Sequence, residues 1–158
     1  MMFSNGVATG SELCSFTDVE LAKTGVWDAM TGTVSITRAD LAAAVASAAA
    51  LPAPPLKLGH TDPRFDGDPA LGWVANLRLA DNGHTLLGDL VDIPAWFAEI
   101  MPTAFSHRSI EATFNLDTPH GVHRFAVTAL SLLGATWPAI TDLASLRDHY
   151  TQGETHDR

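Results

Sequence analysis

The chain has 158 residues, 46% of them apolar and 17% charged, which suits one folded domain with its own core and excludes a disordered chain. Eighteen acidic against nine basic residues give a formal net charge of −9, so no Lys/Arg cluster is present to displace counterions, and nucleic acid is excluded as a partner. Cys14 is the only cysteine, which excludes an internal disulfide and a cysteine-based zinc cluster and points to a reducing compartment.

The opening MMFSNGVATGSELCSF has neither a basic n-region nor an apolar h-region, so no signal peptide is read there. ADLAAAVASAAALPAPP is too short and too interrupted by proline to span a bilayer. A cytosolic protein without a membrane partner is expected, with one domain over residues 1–150 and a polar tail over 151–158.

CSFTDVELAKTGVW (14–27) alternates apolar and polar residues and reads as a strand, and a turn over Gly25–Gly32 leads to a second, TVSIT (33–37). Thr37 and Asp40 match a capping box in outline, opening an Ala-rich helix over 39–50 that Pro52, Pro54 and Pro55 end. PLKLGH (55–60) is the next strand, and a loop over 61–69 follows with Asp62, Asp66 and Asp68. In LGWVANLRLAD (71–81) a period of two puts Trp73, Ala75, Leu77 and Leu79 on one face. Asn82-Gly83 then signals a hairpin into HTLLGDLVD (84–92).

Asp92 is read as the cap of a short helix over 93–101, with Pro94 in its first turn. AFSHRSIEATFNL (104–116) is a strand, and the turn 117–121 returns the chain through VHRFAVTALSLLG (122–134). A terminal helix is expected over 141–150. The fold class is α+β: a small, mostly antiparallel β-barrel or curled sheet flanked by two or three helices.

Among the seven histidines, His84 and His120 fall in turns and His149 and His156 in the polar C-terminus. His60 differs, since it directly follows an apolar strand and Gly59, which leaves room for close approach. It suits either a general base or a ring satisfying strand-end backbone groups. In FSHRSIEATF, Ser109 and Glu111 share one strand face, and Ile110 and Ala112 the other. As a nucleophile Ser109 needs a base within hydrogen-bond reach and donors for an oxyanion; as a core-strand serine it is a small polar filler. Ser106 competes from outside the regular strand. His60 with Asp62, Asp66 and Asp68 lacks the calcium-loop pattern, so ordinary loop solvation is expected and no metal site. A phosphate-binding loop, a dinucleotide glycine pattern and a G-x-S-x-G elbow are all missing, and no cofactor is expected.

In order, TGVWDAMTGTVSITRADLAA, PLKLGHTD, LGWVANLRL with LLGDLVDIP, FSHRSIEATF and ALSLLGATWPAI resemble the phage prohead (capsid maturation) serine proteases, most closely the Mu-like prophage I protein group. This group is distantly similar to the herpesvirus assemblins, a β-barrel flanked by helices. The resemblance spans residues 16–145 and implies that Ser109 is the nucleophile and His60 the general base. It implies a serine endopeptidase acting on phage scaffold and major capsid precursor proteins, inside the assembling procapsid in the bacterial host cytoplasm, and homodimerisation by analogy. Assemblins use a second histidine as the third catalytic group. Hairpin spacing instead sets Ser109 opposite Leu130 and leaves His123 on the order of 20 Å away, so Glu111 is the expected third member and Asp62 the next choice. Related phage proteins often continue into a scaffold-like region, whereas this chain stops at Arg158. The alternative function is a catalytically inactive capsid-assembly scaffold module of the same fold. A metal-dependent hydrolase using His60 and the aspartate loop is the third.

Overall fold

The computed structural model describes residues 12–29, 32–59, 70–134, 140–141 and 143–146. The first strand, β1 (Leu13–Lys23), pairs antiparallel with β6 (Thr85–Pro94), and β6 pairs antiparallel with β5 (Trp73–Ala80), giving the order β1-β6-β5. A second sheet holds β4 (Leu56–Leu58), β7 (His107–Thr118) and β8 (Gly121–Leu133) in the order β4-β8-β7, with β4 parallel to β8 and β7 antiparallel to it. β2 (Gly25–Ala29) and β3 (Gly32–Ile36) form a separate hairpin.

The class is α+β with mostly antiparallel sheets. Among the described residues no sheet closes on itself, so the barrel alternative gives way to open sheets. Residues 54–56 and 71–74 bind the two larger sheets together. Leu56 N–H donates to the Gly72 carbonyl at 2.9 Å, Val74 N–H to Pro54 at 2.8 Å and Leu130 N–H to Pro55 at 2.9 Å. Between the sheets lies the core of Val19, Leu21, Leu56, Leu86, Leu90, Ile93, Phe125, Leu130 and Leu132, all at or below 1% exposure. At about 25 cal/mol per Å2 of apolar surface, this burial stabilises the fold more than any of its individual hydrogen bonds.

The helix α1 (Arg38–Ala48) begins where expected. The Asp40 N–H donates to Thr37 Oγ1 at 3.2 Å, and the Thr37 N–H donates to Asp40 Oδ2 at 2.8 Å, a full capping box. Arg124 of β8 donates from Nε to Asp40 Oδ1 at 2.9 Å, so the same carboxylate ties α1 to the second sheet. Burial raises the Asp40 pKa. The Thr37 backbone N–H, the Arg124 guanidinium and the Thr37 hydroxyl outweigh burial and hold it below the ordinary aspartate value.

Four local expectations need correction. The strand read over 14–27 breaks after Lys23: the Thr24 N–H bonds to the His84 carbonyl and Gly25 takes φ +148, so β2 turns away to pair with β3. In β5 the buried residue is Val74, while Trp73 and Leu79 are exposed. Asn76, at φ +55, sits in a bulge between Ala75 and Arg78 that resets the alternation.

Asp92 does not cap a helix, because it stays in β6 with φ +56 and the helix α2 (Ala95–Ala104) starts after Pro94. The Ala95 N–H is instead satisfied by the Glu12 carbonyl at 3.0 Å, a tertiary cap supplied by the chain leading into β1. Finally, Ser109 faces Ser131 rather than Leu130, since a bulge between Glu111 and Ala112 shifts the β7–β8 register by one. The Asn82-Gly83 hairpin is present as a tight 3-10 turn with both residues at positive φ. Of the terminal helix expected over 141–150, all but 141 and 143–146 lies outside the described residues.

Candidate functional site

Three strands bring the candidate residues into one line. Lys57 of β4 is paired with Ser131 of β8, and Ser131 with Ser109 of β7. Residues directly opposite on neighbouring strands project to the same face, so Lys57, Ser131 and Ser109 form a transverse row about 10 Å from end to end.

Glu111, two residues along β7, leans over the same row. Its Oε1 accepts from Lys57 Nζ at 3.1 Å and its Oε2 from Ser131 Oγ at 2.8 Å. Ser131 is fully buried, so this bond to a charged acceptor fixes its hydroxyl.

Ser109 is different. It is 9% exposed, and its hydroxyl bonds to no described residue. Within a row whose other members are all engaged, its oxygen alone keeps both its proton and its lone pairs uncommitted among the described residues. A nucleophile needs that condition, together with a base beside it.

β4 leads the chain to Gly59, at φ +66, whose N–H donates to the Leu132 carbonyl at 3.0 Å. Leu132 is paired with Arg108, so Gly59 lies level with the start of β7 across one intervening strand. His60, Asp62, Asp66 and Asp68 lie outside the described residues. Ser106 precedes β7 and stands outside the row; its carbonyl accepts from the Leu146 N–H at 2.9 Å.

His123 is paired with Leu116 near the far end of the hairpin, with Nε2 3.2 Å from Thr118 Oγ1. His84 Nδ1 is 2.9 Å from Thr24 Oγ1, in the turn next to β1. Both are remote in register from Ser109. Among the described residues no three His, Cys, Asp or Glu side chains converge as a metal cluster, and no helix is long and apolar enough to cross a membrane.

No family model, curated protein or solved structure matches the chain.

Sequence reasoning picked out Ser109 and Glu111 but missed the groups that engage Glu111. Lys57 had a readable signal: Leu56-Lys57-Leu58 alternates, so the lysine must face away from its apolar neighbours. Ser131 had none, since it lies inside the apolar run ALSLL. Arg108 was also missed. The pleat turns it to the opposite face from Ser109, where its Nε donates to the Glu20 carbonyl of β1 at 2.8 Å.

Proposed function

We propose that the protein is a serine endopeptidase of the phage prohead type, with Ser109 as nucleophile and His60 as general base. The observation that carries the reading is the Ser109 hydroxyl, uncommitted among the described residues, on a sheet whose strand β4 leads to Gly59, immediately before His60 in the sequence.

In this mechanism His60 takes the Ser109 proton as the oxygen attacks a peptide carbonyl, then protonates the leaving amine. Glu111 is the third group. Lys57 and Ser131 hold its carboxylate in place on the face that Ser109 shares. The substrates are scaffold and major capsid precursor proteins of an assembling procapsid, and the assemblin-like fold and homodimer belong to the same proposal.

Ser109→Ala and His60→Ala should each abolish cleavage of the cognate scaffold while the variants stay folded. Cleavage retained by either variant overturns the assignment. A wild-type chain that binds scaffold without cutting it would make the protein an assembly module instead.

A further inference from the structure

The face of β7 opposite Ser109 holds a second feature. Arg108 is only 3% exposed, and beyond its Nε bond to Glu20 its guanidinium meets no acceptor among the described residues. No fully enclosed side-chain nitrogen among those residues lacks a partner. An Nη group without a partner therefore keeps some accessible surface, and Arg108 lines a cavity of about 390 Å3 between β1, the β5–β6 turn and residues 144–146. Burial lowers the Arg108 pKa to about 10, with the Glu20 carboxylate acting in the opposite direction, so the group is charged at neutral pH.

The surroundings define which anion fits. Val19, Leu87 and Leu146 give the cavity apolar walls. Of its acidic neighbours, Asp18 is bonded to Arg78, while Glu20 Oε1 accepts from the Ala144 N–H at 2.8 Å and lies 3.7 Å from Lys23 Nζ. Asp81 sits exposed in the turn. These fixed negative charges oppose a dianion, whereas a planar monoanion matches the guanidinium fork. We infer that this cavity binds a small monocarboxylate with an apolar body, its two oxygens on the Arg108 Nη groups.

Isothermal titration of the full chain with butyrate and benzoate tests this, with phosphate as the more highly charged comparison and ionic strength held constant with chloride. Saturable binding of both carboxylates is expected, with phosphate weaker and the Arg108 guanidinium NMR signals shifting in step. Arg108→Gln should weaken binding about tenfold or more, the loss of a charge-assisted pair of bonds. Because removing a buried arginine can cost the fold, Ala144→Phe is the second variant. It narrows the cavity at its exposed edge and should weaken benzoate more than butyrate. Arg124→Gln, at the exposed arginine on Asp40, should leave binding unchanged. An absence of saturable carboxylate binding, a preference for phosphate, or equal binding by wild type and both cavity variants would overturn the inference. The result does not depend on whether Ser109 is a nucleophile.

Discussion

Ser109 and Ser131 occupy directly paired positions on β7 and β8, yet among the described residues only the Ser131 hydroxyl finds a partner, Glu111 Oε2 at 2.8 Å. The two serines should therefore respond oppositely to the same substitution. Ser109→Ala removes a hydroxyl with no partner among the described residues and should change stability by no more than about 0.5 kcal/mol. Ser131→Ala removes a fully buried donor from a carboxylate and should cost about 1–3 kcal/mol. Urea unfolding of both variants at one pH checks the contrast; a Ser109→Ala variant as destabilised as Ser131→Ala would show that Ser109 is structural.

Gly72 fixes the position of β4. Its carbonyl accepts the Leu56 N–H, its φ is +147, and a Cβ there would lie 2.8 Å from Ile93 Cγ1 and 2.9 Å from the Val91 carbonyl oxygen. Backbone cannot move aside as a flexible side chain can. Gly72→Ala should cost about 2–4 kcal/mol, from overpacking and an unfavourable φ together. It should also depress scaffold cleavage in whatever fraction remains folded, since Lys57 and Gly59 move with β4. Thermal unfolding and cleavage assays of the soluble fraction measure the two effects.

Asp40 gives the fold a specific acid sensitivity. Its folded pKa lies below the ordinary 3.8, so its contribution is complete above the unfolded value and is lost as pH falls through the folded one. Asp40→Asn should cost about 1–2 kcal/mol near pH 6, the scale of a lost helix cap. The gap between variant and wild type should shrink steadily below about pH 4. Urea midpoints across that range test the sign: a gap that widens on acidification would contradict it.

What could be read in advance was whatever neighbouring residues decide. The Thr37–Asp40 capping box and the Asn82-Gly83 turn are complete within three or four residues, and both stand where expected. The failures came from distant partners. The start of α2 is set by the Glu12 carbonyl, some eighty positions earlier, rather than by Asp92 beside it. Bulges at Asn76 and at Glu111/Ala112 each add a residue to one strand, which no period-two pattern registers. For the candidate site, Ser109 and Glu111 were legible as same-face neighbours. Their link to Lys57 needed β4 to insert parallel to β8, a pairing that joins residues more than fifty positions apart.

Labelling with a serine-reactive peptidyl phosphonate, mapped by mass spectrometry, puts the most direct question to this chain. One covalent adduct is predicted, on the β7 serine that heads Ser-Ile-Glu, formed by the wild type and lost when position 60 carries alanine. An adduct on Ser106 or Ser131, or labelling indifferent to His60, would contradict the account.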